Sequence, residues 1–203
     1  MPDIHSTQPT ALIFDFDGTL ANTMPLHWRA WQIVTARHGL KLAEDRFYSL
    51  GGVPSREILR MLAKEQGVKI DHLAVALEKE EAYLPLIPQV EPIHTVATIA
   101  RDNFGRIPMA IASGGTHKVI EQVLEHLEMR KLFNAIVTSE DVTNQKPAPD
   151  IFLEAARRLG VAPASCRAYE DTDLGLMAIR AAGMEAIDVR RLLLTGTAPA
   201  ATT

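Results

Sequence analysis

Leu12-Ile13-Phe14-Asp15-Phe16-Asp17-Gly18-Thr19 is a short apolar run that closes on two carboxylates, one residue apart. An apolar strand that stops in Asp-x-Asp-Gly-Thr carries both acids to its tip. Side chains alternate across a strand, but the chain turns at Gly18, so the second carboxylate can swing back over the first. Two acids held that close repel unless a cation or a proton lies between them. That points to a divalent metal and to acid–base chemistry. A plain surface turn is the competing reading, since Asp-Gly is a common turn pair. A calcium loop does not fit: counted from Asp15, its sixth position is Leu20 rather than Gly and its twelfth is Leu26 rather than Glu.

Outward from this stretch, five short apolar runs read as buried strands: residues 11–14, 108–112, 135–137, 166–169 and 186–189. Segments with helical spacing lie between them. Val119, Ile120, Val123, Leu124 and Leu127 form one such face, and Ile151, Phe152, Ala155, Ala156 and Leu159 form another that stops at Gly160. A third runs through Leu176, Ala178, Ile179 and Ala182 to Gly183. Apolar strands alternating with such helices predict an α/β fold, a Rossmann-like three-layer core with a parallel sheet covered on both faces. Residues 22–88 break the rhythm with helical patterns (Trp28, Trp31, Ile33, Val34; Ile58, Leu59, Leu62; Leu73, Val75, Ala76, Leu77) and no convincing strand. The expected organisation is therefore a core of residues 1–21 and 89–194 with an inserted α-helical subdomain over 22–88. Pro85, Pro88 and Pro92 suggest a hinge or strap at the exit of the insertion, because proline fixes φ and removes a donor. The Thr-, Ala-, Gly- and Pro-rich stretch 195–203 reads as a flexible tail.

A chain of 203 residues suits one large domain, or one domain with a smaller insertion, and an apolar share of 47% is ample for a core. The formal net charge of −4, with no Lys/Arg run, speaks against nucleic acid, whose backbone recognition needs clustered cations. The single cysteine, Cys166, excludes an internal disulfide framework and fits a reducing compartment. Its place in a predicted strand favours core filler over nucleophile. The first residues carry neither a basic start nor an apolar segment, and no apolar stretch approaches the ~20 residues of a membrane span. A cytoplasmic location without membrane attachment is expected.

Three more polar signals follow predicted strands. Ser113-Gly114-Gly115 comes just before a helix, where small residues let backbone N–H groups approach an anion; a Ser cap with a Gly turn reads equally well. Lys146 in Lys146-Pro147-Ala148-Pro149-Asp150 could hold a phosphate, or be a surface lysine before a proline-started helix. Glu170-Asp171-Thr172-Asp173 places three acids at a strand tip, of which the macrodipole of a following helix explains one comfortably. Ligands in open α/β sheets sit beyond the carboxyl ends of the strands, and all four signals fall there. Acids for a metal, a hydroxyl with backbone amides, and one lysine are what phosphoryl transfer requires. Neither GxGxxG, GxxxxGK[ST] nor GxSxG occurs, so nucleotide and serine-hydrolase readings gain no support.

Taken in order, Asp15-Phe16-Asp17-Gly18-Thr19, Ser113, Lys146-Pro147 and Glu170-Asp171 resemble the four motifs of the haloacid dehalogenase superfamily, over about residues 11–189. The 22–88 insertion stands where that superfamily places a helical cap. Thr23, His27, Trp31, Gly52-Val53, Ser55-Arg56 and Lys79 are similar to positions of its β-phosphoglucomutase-like subfamily. That subfamily also holds small sugar-phosphate phosphatases of a fructose-1-phosphatase-like type, which the chain resembles over nearly its whole length.

The resemblance implies roles position by position. Asp15 is the expected nucleophile, forming an aspartyl-phosphate, and Asp17 the acid that protonates the leaving sugar oxygen and later activates water. Mg²⁺ would be held by the carboxylates of Asp15 and Asp171, by the backbone carbonyl of Asp17, and by Glu170 directly or through water. Ser113 and the Gly114 amide would bind phosphoryl oxygens, and Lys146 would neutralise charge on the phosphoryl group and on Asp15. A cis bond before Pro147 is common in the family. Among insertion residues, Thr23, His27, Gly52, Arg56 and Lys79 are the implied substrate and cap positions, with Arg56 a clamp on the distal end. On residue patterns alone, Arg56 reads as a solvated helix-start arginine, His27 as a partly buried histidine among Trp28, Trp31 and Leu26, and Lys79 within 78–81 as part of a solvated face. Trp28 and Trp31 read as core of the insertion.

Whether water or a second sugar hydroxyl accepts the phosphoryl group divides two expectations. Ser113-Gly114-Gly115-Thr116-His117 departs from mutases of this group, which tend to end this loop in Ser-Lys-Asn, and Gly51 stands where they tend to carry lysine. The expected activity is thus a Mg²⁺-dependent phosphatase, a monomer acting on a small phosphorylated sugar. The alternative is a β-phosphoglucomutase. A non-catalytic phosphosugar-binding protein is the third reading, weakened by the presence of every motif acid.

Overall fold

The computed structural model describes residues 8–195. Its centre is a five-stranded parallel sheet of β1 (Ala11–Phe14), β2 (Met109–Ala112), β3 (Ala135–Val137), β4 (Cys166–Glu170) and β5 (Glu185–Asp188), in the order β3-β2-β1-β4-β5. All pairings are parallel, and Phe14 stands opposite both Ile111 and Tyr169. Because side chains alternate along a strand, β1 supplies both faces. Leu12 and Phe14 join Met109, Ile111, Ile136 and Tyr169 under α5 (His94–Asn103) and α6 (His117–His126). Ala11 and Ile13 join Ala110, Ala112, Val137 and Ala168 under α7 (Asp150–Leu159) and α8 (Asp173–Ala181). Strands buried on both sides read as unbroken apolar runs, which is why β1 and β3 have the predicted bounds.

Residues 24–83 form four helices, α1 (Met24–Arg37), α2 (Glu44–Ser49), α3 (Ser55–Gln66) and α4 (His72–Tyr83), around a separate apolar cluster that includes Trp31, Val34, Phe47, Leu59, Leu62 and Val75. Trp28 packs against that cluster partly buried. Leu26, Ala30 and Tyr83, by contrast, belong to the cluster of the sheet. The base of α1 and the end of α4 are thus continuous with the core, above the strand ends.

Several expectations are corrected. The proline stretch is not irregular: residues Leu84–Gln89 form a 3₁₀ turn, since the fixed φ of Pro85 and Pro88 suits that conformation, and Ile87 and Val90 are buried. The last strand starts one residue earlier and ends one earlier than predicted, because β5 is a half-exposed edge and Val189 opens α9 (Val189–Thr195). Helices α2, α5 and α9 are additional to the predicted elements. Leu73, Leu77 and Ile33 face outward rather than inward, so the apolar spacing of α4 and α1 overstates their buried faces. Cys166 is buried at the start of β4, as core filler should be. The expected flexible tail lies, apart from Thr195 at the end of α9, outside the described residues. Among the described residues no helix is long and apolar enough to cross a membrane.

Candidate active site

Strands β1 and β4 are neighbours at the point where the strand order reverses, the crevice where open α/β sheets bind ligands. The amide of Asp15 donates to the Tyr169 carbonyl at 2.9 Å, which keeps Asp15 in line with Glu170 at the strand ends. Both acids are buried, and so is Lys146, delivered from the β3–α7 connection beside a cis Lys146–Pro147 bond. Lys146 Nζ donates to Asp15 Oδ1 at 2.6 Å and to Glu170 Oε2 at 2.7 Å. Glu170 Oε1 accepts from the amides of Asp171 and Thr172 and from Thr172 Oγ1, at 3.1, 2.9 and 2.8 Å. Thr19 Oγ1 donates to Asp171 Oδ1 at 2.8 Å. Gly18, at φ +84°, is required here: a Cβ would lie 2.4 Å from Asp171 Oδ2.

Asp15, Glu170 and Asp171 each offer an oxygen within 4.8 Å of the others. Burial, and next the charge of Glu170, push the Asp15 carboxyl well above the usual carboxylate range; Lys146 offsets this only in part. Burial and then Glu170 raise Asp171 as well. For Lys146, burial favours the neutral amine, but Asp15 and Glu170 outweigh it and hold the lysine protonated. Three carboxylates facing one lysine leave negative charge in excess, and the donors are all hard oxygens. That set fits Mg²⁺.

Asp17 turns away from this cluster. Its carboxylate accepts from Thr23 Oγ1 at 2.6 Å and from His27 Nε2 at 3.2 Å, with Ser113 Oγ at 3.4 Å. The picture of two carboxylates folded over one another is therefore corrected: β-turn geometry at Gly18 sends Asp15 to Lys146 and Asp17 to α1. The Asp17 carboxylate is not among the oxygens that cluster at Asp15, Glu170 and Asp171. Burial raises the Asp17 carboxyl, but the hydrogen bonds from His27 and the Thr23 hydroxyl and the charge of Lys79 outweigh it and hold the group at about 2. Lys79 Nζ lies 3.0 Å from His27 Nδ1 and 3.1 Å from Glu80 Oε1, and Ser55 Oγ donates to the same Glu80 oxygen at 3.2 Å. A charged lysine has donors only, so Nδ1 accepts, and the ring proton sits on Nε2, aimed at Asp17. Burial and then Lys79 lower the His27 pKa, which favours this neutral form.

Ser113 follows β2, fully buried, and its Oγ accepts from the Gly115 amide at 3.0 Å. It does not cap the next helix; that position is Thr116. Ser139 Oγ donates to the Gly115 carbonyl at 2.8 Å, Glu140 accepts from the His117 amide, and His117 Nε2 lies 2.7 Å from Asp141 Oδ2. The loop before α7, which bears Lys146, thereby braces the Ser113–His117 loop.

The insertion reaches the site by two routes. Thr23, His27 and Lys79 are buried, the first two on Asp17 and Lys79 behind His27; the charge pattern around Lys79 misleads because Glu81 faces solvent while Lys79 and Glu80 bond inside the site. The α2–α3 loop brings the Gly52 carbonyl to within 3.4 Å of where a Gly114 Cβ would stand, and Gly51 to Thr172. Arg56 is not brought in: it is exposed in the first turn of α3 and, among the described residues, makes no hydrogen bond or ion pair. Sequence reasoning missed Thr19, Thr172 and Glu80 as site residues. Thr172 had a signal, since a Thr immediately before an apolar helix is a typical N-cap, and its Oγ1 accepts from the Gly175 amide at 3.1 Å. Glu80 had none.

Comparison with known proteins adds four findings. A family profile described as haloacid dehalogenase-like hydrolase matches residues 12–189. Fructose-1-phosphate phosphatase YqaB of Escherichia coli (strain K12) is 41% identical over 182 residues, 89% of this chain and 96% of the relative. Beta-phosphoglucomutase of Bacillus subtilis (strain 168) is 31% identical over 191 residues, 88% and 82% of the two chains. Among solved structures, beta-phosphoglucomutase from Clostridium difficile superposes with a TM-score of 0.80 at 27% identity, covering 89% of this chain and 84% of that one.

Proposed function

The chain belongs to the haloacid dehalogenase-like hydrolase family, and on that footing we propose that it is a Mg²⁺-dependent phosphatase of a small sugar phosphate such as fructose 1-phosphate. The observation that carries this reading is the clustering of Asp15, Glu170 and Asp171, the first two bonded to Lys146, with Asp17 held apart on His27 and Thr23. Those two environments give two carboxyl groups two jobs.

Ser113 Oγ and the Gly114 amide hold the phosphoryl oxygens, with Lys146 neutralising charge on them and on Asp15. A carboxylate oxygen of Asp15 attacks phosphorus, the P–O bond to the sugar breaks, and the sugar oxygen leaves with the proton of Asp17. Asp17 is ionised at rest; the phosphate dianion arriving beside it raises its proton affinity, as like charges do. Water then attacks phosphorus of the aspartyl-phosphate, giving its proton to Asp17, and inorganic phosphate and the Asp15 carboxylate are released. Bound Mg²⁺ would be held by Asp15, Asp171, the Asp17 carbonyl and Glu170, and supplies neutralisation of the phosphoryl charge.

A mutase is the second reading, favoured by the match to beta-phosphoglucomutases. Two features weigh for water as acceptor. His117 is occupied by Asp141 rather than free to grip a second phosphate. Gly51 packs so closely that a Cβ would lie 3.2 Å from Thr172 Cγ2, which leaves little space for a lysine. The test is free-phosphate release with Mg²⁺ from fructose 1-phosphate and β-glucose 1-phosphate, following glucose 6-phosphate in the same tubes. Steady phosphate without glucose 6-phosphate is expected; accumulating glucose 6-phosphate would mean the mutase, and neither product would reject both.

A further inference from the structure

We infer that Tyr83 is a positioning residue for Asp17, acting through His27; the inference rests on the proposed role of Asp17. Tyr83 closes α4, and its side chain is fully buried in the sheet's own apolar cluster, beside Leu26 and Ala30 of α1. Its ring lies flat on the imidazole of His27, with centroids 3.9 Å apart and planes inclined by 18°. Its hydroxyl is buried and, among the described residues, has no hydrogen-bond partner. A buried donor left unpaired is a cost, so the ring, not the hydroxyl, is what this position uses.

Both polar contacts of His27 lie at its edge: Nε2 toward Asp17 and Nδ1 toward Lys79. The torsion that turns a histidine ring is broad, and those contacts alone fix it weakly, since the Asp17 bond is long at 3.2 Å. Turning the imidazole out of its present plane would drive an edge into the Tyr83 ring at 3.9 Å. The flat stack therefore keeps Nε2 aimed at Asp17. Lys79 is confined from the same side, its Nζ 5.8 Å from the Tyr83 centroid and 5.9 Å from the Trp31 ring. Tyr83 touches neither the acids nor the phosphate loop through any hydrogen bond, so its influence passes through the histidine.

The experiment compares Tyr83→Leu, Tyr83→Phe, His27→Ala and the double variant Tyr83→Leu/His27→Ala, reading kcat and KM on the best phosphate ester and the NMR shifts of the His27 ring protons. Tyr83→Leu should lower kcat about 10- to 100-fold, the range that small misplacements of reacting groups reach, with KM changed by less than about threefold. Tyr83→Phe, which keeps the ring, should restore kcat to near wild type. In the His27→Ala background Tyr83→Leu should cost nothing further. The His27 ring protons should carry an upfield ring-current shift in wild type and Tyr83→Phe, and lose it in Tyr83→Leu. An equal loss from Tyr83→Leu with and without His27, or a loss in Tyr83→Phe as large as in Tyr83→Leu, overturns the inference. A chain that releases phosphate from no ester defeats the proposed function instead; the stack is then judged by NMR alone, and an unchanged shift in Tyr83→Leu refutes it.

Discussion

Gly175 lies in the first turn of α8, where alanine should by helix propensity stabilise the chain by about 1 kcal/mol. The geometry predicts the reverse. A Cβ on Gly175 would stand 2.0 Å from Glu170 Oε2 and 2.1 Å from its Cδ, well inside contact distance. Glu170 cannot swing aside freely, because it is buried and its two oxygens take hydrogen bonds from Lys146, Asp171 and Thr172. Gly175→Ala must therefore displace a tethered carboxylate. Overpacking of this kind costs about 1–3 kcal/mol, and weakening one charge-assisted bond about 1.5–3 more. Less the propensity gain, the net loss is about 1.5–5 kcal/mol, or roughly 3–20 °C in Tm for a chain of this size. Thermal unfolding by circular dichroism in EDTA measures it, and a Mg²⁺ titration of activity should show a higher half-activating concentration. A Gly175→Ala protein that melts at or above the wild-type temperature with an unchanged Mg²⁺ titration would refute the packing of Glu170 described here.

Lys146→Met leaves buried carboxylates without their cation and should destabilise the metal-free protein by about 3–5 kcal/mol; added Mg²⁺ should raise its melting temperature more than it raises that of the wild type. Tyr83→Phe removes an unpaired buried hydroxyl and should stabilise by about 1 kcal/mol, a rise of about 2–4 °C in thermal melts. Asp15→Asn should abolish phosphate release while leaving the circular dichroism spectrum unchanged. For Asp141, burial raises the pKa, but the Arg158 hydrogen bond, the Thr138 amide and the charge of His117 hold it at about 2. A depressed carboxyl contributes stability that is full above its unfolded pKa and lost as pH falls toward 2. Denaturant unfolding at pH 6 and pH 3 should thus show a smaller acid loss for Asp141→Asn than for wild type.

What the sequence disclosed follows the physics of burial. Residues 11–14 and 135–137 are legible because both faces of these short parallel strands are covered, even in β3 at one edge of the sheet, and the acids, Ser113 and Lys146 are legible because each lies at or beyond the end of a strand. At the opposite edge the signal thins: Glu185 belongs to β5 although nothing apolar marks it, since β5 is the more exposed of the two edge strands. Lys79 sits in a run of charges yet is buried, because its burial depends on His27 and Tyr83 arriving from other parts of the chain. Tyr83 itself was silent for the same reason. A stack between residues 27 and 83 has no local pattern, and neither has the Glu80–Ser55 bond that extends the network toward α3. Arg56 is the opposite case, a residue named by resemblance whose side chain is exposed and so reads from the structure as it does from the local pattern.

The central claim is that Asp15 accepts the phosphoryl group. It is tested most directly by mixing enzyme, Mg²⁺ and sugar phosphate, quenching in acid during turnover, reducing with borohydride and mapping the modified residue by mass spectrometry. The account predicts that Asp15 alone is converted to homoserine, the reduction product of an aspartyl-phosphate, and that omitting substrate abolishes the change. Phosphate release with Asp15 unmodified, or modification at Asp17 instead, would contradict it.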